Sequence, residues 1–308
     1  MKRIAVWGTG LYLEQLMARG CLKDYDISVF CDNDVSKQGA FFYDKPVVSP
    51  NELTNWSFDA VYIASIEHYD EIKKQIIESK LALENQIYEF PTEKDKYAGE
   101  LSYWQAIYKK EGNCFHNDSY KNLMLSIAEE KDDSFWSNKV VADFGCGPRG
   151  SLTWSKTPLL RIGIDVLAEK YAANFSDEIK KHEMVYVTST EHLIPMPDEC
   201  VDYLLTINSL DHVNNLDEII CELHRILKKG GILLGSFNLN EPYTGQGYEP
   251  QTLTESIIDQ KLLKHFKVNT YRLAYKNKND TYENLRNNKL INCTDGRESI
   301  LWVKAVKK

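Results

Sequence analysis

The sequence predicts two α/β domains, each built around a doubly wound and mostly parallel sheet. Three observations lead to this fold class. Short apolar runs typical of buried strands alternate with helix-length segments along most of the 308 residues, a length that suits two domains. Two of these runs end in glycine-containing turns, at Gly8–Gly10 and Gly145–Gly150. A polar segment, residues 91–99, begins with proline, ends with glycine and separates the two series.

The first domain is expected over residues 1–92. Strands are predicted at 3–7, 26–31 and 60–64, and a helix is predicted at 12–19. This alternation indicates a small parallel α/β unit.

The second domain is expected over residues 100–308 and begins with a helical pattern that continues to about residue 138. Further helices are predicted at 215–228 and 252–265. The strand signals lie at 139–144, 160–165, 184–188, 201–207, 231–237, 266–274 and 299–305. A polar segment without a helical face, 276–298, joins the last two strands, so we expect them to pair antiparallel.

Composition restricts the class of partner. Hydrophobic residues make up 43% and charged residues 27%, as in soluble globular proteins. The net charge of −8 argues against broad binding to nucleic acid or anionic lipid. The sequence has no apolar run long enough for a membrane span or signal peptide, and its seven cysteines show no C-x-x-C spacing. We therefore expect a cytoplasmic protein with reduced thiols, no bound metal and a small-molecule partner.

The most informative stretch is the apolar strand that ends at Asp143, followed by a turn with glycines at 145 and 147. Glycines there let the backbone approach a ligand, and no Lys-Ser or Lys-Thr follows to hold a phosphate as a P-loop would. Asp165 ends the next predicted strand about twenty residues later, a spacing that suits a ribose diol. The pattern predicts an adenosyl ligand. A tight strand-to-helix turn that merely needs glycine is the alternative.

Five motifs follow one another across residues 139–237: Asp143-Phe-Gly-Cys-Gly-Pro148, Asp165, Glu191-His-Leu-Ile-Pro-Met-Pro-Asp198, Asp202-Tyr-Leu-Leu205 and Arg225-Ile-Leu-Lys-Lys-Gly-Gly231. In order and spacing they resemble the class I S-adenosylmethionine-dependent methyltransferases. Within that family, Gly147-Pro-Arg-Gly-Ser-Leu152 resembles a bacterial subgroup. The resemblance implies a seven-stranded sheet with an antiparallel last strand, and S-adenosylmethionine as cofactor.

The resemblance also implies which residues bind this cofactor. The glycine turn would wrap the methionyl part, with Asp143 near its ammonium group, and Asp165 would accept hydrogen bonds from both ribose hydroxyls. The adenine would lie against residues 189–191, although the family often has an acid where Thr190 stands. The cofactor-binding candidates are Asp143, Gly145, Gly147, Pro148, Gly150, Asp165, Val166, Thr190, Glu191 and Asn208.

Asp211 and His212 are the catalytic candidates. They follow the fourth strand of the sheet at its carboxyl end, where the ligand crevice of an open α/β sheet lies. A histidine or carboxylate there could remove a proton from an acceptor hydroxyl or ammonium group. A structural role for His212, in capping and packing the next helix, is the alternative.

Other polar and aromatic residues are candidates for the acceptor side. Arg149 could pair with an acceptor phosphate or with the methionyl carboxylate, and an exposed arginine in a loop is the alternative. Helices that close over the cofactor would carry Tyr103, Trp104, Phe115, His116, Asn117 and Tyr120. A loop after the fifth strand carries Asn238, Asn240, Glu241, Tyr243 and Glu249.

In the first domain, Gly8-Thr-Gly10 and Asp32-Asn-Asp34 form half of a dinucleotide fingerprint, but Leu13 stands where a third glycine is expected. With Val61-Tyr-Ile-Ala-Ser65, they resemble the Rossmann-like N-terminal domain of bacterial sugar acyltransferases and other surface-glycan enzymes. The resemblance implies a nucleotide-sugar site. A packing module, or one that forms a homodimer, is the alternative.

The sequence therefore predicts a methyltransferase that acts on an oxygen or nitrogen of a small polar acceptor. The resemblance of the first domain favours a sugar, nucleotide sugar or phosphorylated amine of capsule or surface-glycan biosynthesis. A non-catalytic scaffold that binds S-adenosylmethionine or a nucleotide sugar is the alternative. An NAD-dependent oxidoreductase built on residues 1–90 would need a nicotinamide site, which the sequence does not indicate.

Overall fold

The chain divides into two compact units, one of residues 1–96 and one that begins at Tyr97 and continues to Lys308. This computed structural model describes residues 2–18, 22, 25–65, 68–83, 86–89, 93–241, 251–277, 280–291 and 296–308. Tyr243 and Glu249, which the sequence suggested as acceptor contacts, lie outside these residues.

The first unit contains a six-stranded sheet. Its strands are β1 (Lys2–Trp7), β2 (Tyr25–Cys31), β3 (Phe41–Phe42), β4 (Lys45–Val48), β5 (Ala60–Ile63) and β6 (Ile87–Glu89). Their order is β3-β4-β2-β1-β5-β6, and the neighbouring pairs are parallel except for β3 and β4. The helices are α1 (Leu11–Ala18) and α2 (Tyr69–Glu78), with a 3₁₀ turn at Glu52–Asn55.

The central strand of this sheet is buried on both faces, as expected for a parallel sheet between helical layers. All four residues from Ile4 to Trp7 are buried in β1. The predicted strands 3–7, 26–31 and 60–64 correspond to β1, β2 and β5. Strands β3, β4 and β6 were not predicted, because runs of two to four residues give too short a pattern.

The second unit contains a seven-stranded sheet. Its strands are β7 (Val140–Phe144), β8 (Leu160–Asp165), β9 (Val185–Thr188), β10 (Val201–Ile207), β11 (Leu227–Leu239), β12 (Phe266–Tyr275) and β13 (Ser299–Lys307). The order is β12-β13-β11-β10-β7-β8-β9, and β13 runs antiparallel to both of its neighbours. The predicted fold class, including the antiparallel last strand, is confirmed.

The helices from residue 93 onward differ in places from the prediction. They are α3 (Glu93–Lys110), α4 (Ser119–Ala128), α5 (Ala168–Asn174), α6 (Ser176–Lys181), α7 (Leu216–Ile226), α8 (Glu255–Ile257) and α9 (Thr281–Arg286). Short 3₁₀ turns lie at Asp133–Trp136, Leu210–His212 and Leu263–His265, and a π-helical turn at Ile258–Leu262.

Three predicted segments are wrong in detail. The helix expected at 252–265 is a series of short α, π and 3₁₀ turns, and the segment 276–298 contains α9. Residues 93–99 of the expected connector begin α3 instead, because nothing between Pro91 and Gly99 interrupts a helix.

The strand order reverses direction beside β7. From β7 the chain continues outward through β8 and β9 on one side, and through β10 and β11 on the other. In an open α/β sheet, the carboxyl ends of the two strands at such a reversal form the ligand crevice. Strands β7 and β10 pair in parallel with Asp143 opposite Leu205, so Gly145 and Asn208 follow adjacent strand ends.

In the described part of the chain, no helix combines the length and the apolar character that crossing a bilayer demands.

Replacing Leu234 in β11 by alanine should destabilise the second unit. Leu234 is fully buried and belongs to a core cluster with Trp136 and Trp302. Loss of its side chain should lower the free energy of unfolding by about 3 kcal/mol, from lost burial and the cavity that remains. Urea unfolding followed by tryptophan fluorescence measures the change. Leu290→Ala, at a position that is 54% exposed, is the control, and equal losses in the two variants would contradict this assignment of the core.

Candidate active site at the sheet edge

The turn after β7 packs directly against the end of β10. Gly145 has φ of +70°, and a Cβ atom added there would lie 2.2 Å from the Cβ of Ser209. Ser209 Oγ donates to the carbonyl of Phe144 at 2.9 Å. Glycine is therefore required at 145 both by its backbone conformation and by the approach of Ser209.

The far end of the turn is equally crowded. At Gly150, where φ is +70°, an added Cβ would lie 2.6 Å from the ring of His182. Gly147 and Pro148 between them are buried. The turn that the sequence predicted as the wall of a ligand site is thus closely packed, with glycine at three of its six positions.

Asp165, at the end of β8, fixes this turn through two backbone hydrogen bonds. Its Oδ2 accepts from the N–H of Gly147 at 3.0 Å, and its Oδ1 accepts from the N–H of Leu167 at 2.9 Å. The side chain is buried, and a carboxylate oxygen can in general accept more than one hydrogen bond. The adjacent Val166 is half-buried against an aromatic cluster that includes Phe115 and Tyr171.

Asp143, the last acid before the turn, is 2% exposed. Ser151 Oγ donates to its Oδ2, whereas its Oδ1 is buried with no hydrogen-bond partner among the described residues. Burial, reinforced by the nearby charge of Asp165, raises the pKa of Asp143 to about 7. A buried acceptor without a donor is costly, so Oδ1 is a place where a ligand ammonium group or a water molecule would be stabilised.

Residues 190 and 191 have different environments. Glu191 is buried and accepts from the hydroxyl of Tyr97 at 2.8 Å and from the N–H of Asn214 at 2.9 Å. It therefore links α3 to the segment after β10. Thr190 is exposed, and its Oγ1 accepts from the N–H of Leu193 at 3.0 Å, which closes a local turn.

Asn208 follows β10 with φ of +48°, in the left-handed region. Its N–H donates to the carbonyl of Ser236 at 2.8 Å, and its Oδ1 accepts from Ser236 Oγ at 2.9 Å. The neighbouring strand β11 thus fixes both the backbone and the carboxamide of Asn208. Strain at a residue held in this way is typical of functional sites.

The two catalytic candidates lie in the 3₁₀ turn after β10. Asp211 is 3% exposed, and neither of its carboxylate oxygens has a hydrogen-bond partner within the described ranges. His212 Nδ1 lies 3.8 Å from Glu100 Oε1 of α3. The N–H of Gln251 donates to the carbonyl of Asp211 at 3.1 Å, so the segment after residue 250 packs beside this turn.

Arg149 pairs within the protein rather than pointing freely toward a ligand. Its guanidinium forms a bidentate pair with Glu111, with contacts of 2.6 and 3.1 Å, and also donates to the carbonyl of His116. The Arg149 side chain is 18% exposed and lies against the rings of Trp104 and Phe115. The sequence-based expectation of a ligand phosphate or carboxylate partner is therefore replaced by an ion pair that joins the turn to residues 111–116.

The loop after β11 is also engaged within the protein. Asn240 Nδ2 donates to the carbonyl of Arg297 at 3.0 Å, and Glu241 pairs with Lys276.

A cleft of about 510 Å³ opens beside the end of β10. Its lining residues come from the start of α4, the glycine turn and β10, and they are His116, Asp118, Ser119, Tyr120, Leu123, Arg149, Ile207 and Asn208. The sequence had indicated His116, Tyr120, Arg149 and Asn208. The others were missed because the fold, rather than a motif, brings the start of α4 to β10.

These features fit an adenosyl ligand with a cationic end. Oδ1 of Asp143, which has no partner among the described residues, suits an ammonium group, the carboxylate of Asp165 is the type of acceptor that binds hydroxyls, and the glycine turn offers close backbone approach. In the described part of the chain, no group of three or more His, Cys, Asp or Glu side chains is arranged to hold a metal ion. The second unit has the seven-stranded sheet with an antiparallel last strand that the resemblance to the class I S-adenosylmethionine-dependent methyltransferases implied.

Comparison with known families agrees with this class. Residues 142–235 match the family model described as a methyltransferase domain. Residues 1–87 match a second family model, described as C2185-like, N-terminal.

Individual relatives match over part of their length or at low identity. The mitochondrial ubiquinone biosynthesis O-methyltransferase of Rattus norvegicus is 30% identical over 122 residues, which cover 36% of this chain and 34% of the rat protein. The match thus spans about a third of that relative.

Among solved structures, the cyclase SpnF is 16% identical with a TM-score of 0.49, over 68% of this chain and 93% of SpnF. An S-adenosylmethionine-dependent methyltransferase from Aquifex aeolicus is 17% identical with a TM-score of 0.41, over 63% of this chain and 100% of that protein. At such scores the fold assignment rests on the strand order described above.

Asp143 should make the stability of the protein depend on pH. Its folded-state pKa of about 7 lies above the ordinary value of 3.8, so between these pH values the folded state retains a proton that the unfolded state has released. Its contribution to stability should therefore be present below pH ~4 and decrease as pH rises through ~7, by a few kcal/mol in total. Asp143→Asn cannot ionise. Urea unfolding at pH values from ~5 to ~8 gives the free energy of unfolding of both proteins. As pH rises, that of wild type should fall relative to that of Asp143→Asn, and a pH-independent difference would refute the raised pKa of Asp143.

Proposed function

We propose that this chain is an S-adenosylmethionine-dependent methyltransferase that acts on an oxygen or nitrogen of a small polar acceptor. The observation that carries the proposal is the pair of buried carboxylates, Asp143 and Asp165, on either side of a glycine turn at the reversal point of the sheet. The family match over residues 142–235 supports it.

In this proposal, each part of the site binds a different part of the cofactor. Asp143 Oδ1 accepts from the methionyl ammonium, and the turn from Gly145 through Gly147 and Pro148 to Gly150 encloses the methionyl chain. Asp165 accepts from the ribose hydroxyls. Val166, Thr190 and Glu191 lie along the adenine, and Asn208 closes the site from β10. The charges agree with this division, because the cationic end of the ligand meets Oδ1 of Asp143, a carboxylate oxygen that accepts from no described residue.

When bound, S-adenosylmethionine supplies an electrophilic methyl group on a sulfonium. The chain's own contribution is to hold the acceptor in line, exclude water and receive a proton. Asp211 is proposed as the group that receives the acceptor's proton, because burial has stripped its carboxylate of water and no described residue donates to it. His212, beside Glu100, is proposed to relay that proton or to replace Asp211 as the base.

Asp165→Asn should weaken the binding of S-adenosylhomocysteine by roughly 10- to 100-fold, because hydrogen bonds to a charged acceptor contribute about 1.5–3 kcal/mol. Asparagine keeps one oxygen acceptor for the backbone N–H groups, which makes it a milder change than alanine. Isothermal calorimetry measures the affinity, and circular dichroism checks the fold.

The matched control for this measurement is Asp177→Asn, at an exposed position on α6. It should leave the affinity for S-adenosylhomocysteine unchanged. If Asp165→Asn binds as tightly as this control, the ribose assignment is wrong.

Replacing Asp211 by asparagine together with His212 by glutamine should lower methyl transfer by about 10²- to 10⁴-fold, the usual contribution of general-base catalysis. The affinity for S-adenosylhomocysteine should not change. Transfer is measured with labelled S-adenosylmethionine and a panel of sugars, nucleotide sugars and phosphorylated amines. Binding of S-adenosylhomocysteine without transfer to any of the panel would favour a scaffold instead.

We propose further that the acceptor belongs to surface-glycan or capsule biosynthesis in the cytoplasm and that the first unit recognises it or its nucleotide carrier. This rests on the resemblance of the first unit to sugar acyltransferase domains. At the end of β2, Asp32 accepts from the N–H of Thr9 at 2.8 Å and pairs with Lys37 at 3.3 Å, so it holds the Gly8–Gly10 loop in place. The dimerisation expected through this unit stays a prediction.

A further inference from the structure

The cleft beside β10 has a distinct floor and rim. Tyr120, Leu123 and Ile207 are half-buried and form part of the floor, whereas His116 and Asp118 are exposed at the rim. The cleft shares Arg149 with the glycine turn and Asn208 with the end of β10. It therefore adjoins the turn proposed to hold the methionyl part of the cofactor.

The guanidinium of Arg149, which lines this cleft, is already paired with a carboxylate of the protein. Both terminal nitrogens of Arg149 contact Glu111, whose carboxylate also accepts from the N–H of His116 at 2.9 Å. Arg149 holds the pKa of Glu111 below its ordinary range, so the pair stays ionised and neutral overall. A phosphate or carboxylate in the cleft would have to compete with Glu111 and would face Asp118 at the rim.

The cleft carries two hydrogen-bond donors that bind none of the residues in the described part of the chain. The hydroxyl of Tyr120 has no hydrogen bond to any residue that the structure describes, and burial, with the charge of Asp143, raises its pKa, so it remains a donor at neutral pH. Ser236 donates to Oδ1 of Asn208, which leaves the amide nitrogen Nδ2 as the free end of that side chain. Leu123 and Ile207 add an apolar surface beside them.

We propose that the acceptor is an uncharged, hydroxyl-bearing ring that lies in this cleft, with its apolar face on Leu123 and Ile207 and a hydroxyl oxygen bound by Tyr120, beside Asn208. The inference rests on the proposed function and narrows its acceptor from sugars and phosphorylated compounds to uncharged hydroxyl compounds. The hydroxyl oxygen forms the new bond to the methyl carbon as the carbon–sulfur bond breaks. The electron pair of that bond stays on sulfur, and the hydroxyl proton passes to Asp211 or His212.

Two synthetic sulfonium analogues test the chemistry of the cleft before the acceptor itself is identified. In one the transferable methyl group of S-adenosylmethionine is replaced by a 3-hydroxypropyl group, and in the other by a 2-carboxyethyl group of similar size. Calorimetry on the full chain should show the hydroxypropyl analogue binding about tenfold more tightly, because the carboxylate loses water without gaining a cation.

Two variants should change these affinities in opposite ways. Tyr120→Phe should weaken the hydroxypropyl analogue about fivefold, whereas Tyr282→Phe, a tyrosine of α9 outside the cleft, should not. Glu111→Gln leaves Arg149 without its counter-charge and should strengthen the carboxyethyl analogue about tenfold.

The results distinguish failure of the proposed methyltransferase function from failure of the acceptor inference. If wild-type protein does not bind S-adenosylhomocysteine, the proposed function fails. If it binds S-adenosylhomocysteine but prefers the carboxyethyl analogue or binds both analogues equally, the acceptor inference fails and the methyltransferase proposal stands. The acceptor inference also fails if Tyr120→Phe binds the hydroxypropyl analogue as tightly as Tyr282→Phe does.

Discussion

The site depends on the two hydrogen bonds that Asp165 accepts from backbone N–H groups. Through them, one carboxylate at the end of β8 fixes both the turn that follows β7 and the chain that follows itself. Glycines at 145 and 150 let Ser209 and His182 pack closely against the turn, and the hydrogen bond to Asp165 adds to those contacts. A charged acceptor paired with backbone donors stabilises the shape of the turn by about 1.5–3 kcal/mol per bond.

Some buried polar atoms near this turn lower the stability of the protein. The buried oxygens of Asp143 and Asp211 without donors are groups that folding alone would disfavour. The large apolar cores on both faces of the sheet stabilise the fold and offset this cost. They include fully buried residues such as Leu204, Leu234 and Trp302. A cationic ligand or a reacting proton would also offset this cost, so stability and function are opposed at these positions.

The sequence was sufficient for the fold class, for the seven strands of the second sheet and for the glycine turn of the candidate site. Seven strand signals and the turn at Gly145 follow from local patterns, because strand composition and glycine conformation are local properties. The partner of Arg149 could not be read in this way, since Glu111 lies 38 residues away and only the packing of α3 brings it close. The broken helix after Thr254 was missed for a similar reason, because its apolar residues satisfy contacts with the sheet rather than a regular helical face.

The position of β13 also constrains how the second unit is made. This strand lies between β11 and β12 and joins them, although it follows both in the chain. During synthesis, the edges of β11 and β12 that pair with β13 stay unpaired until residues 299–307 have left the ribosome. An open edge strand invites pairing with other chains, so the second unit is most exposed to aggregation in the interval before β13 arrives.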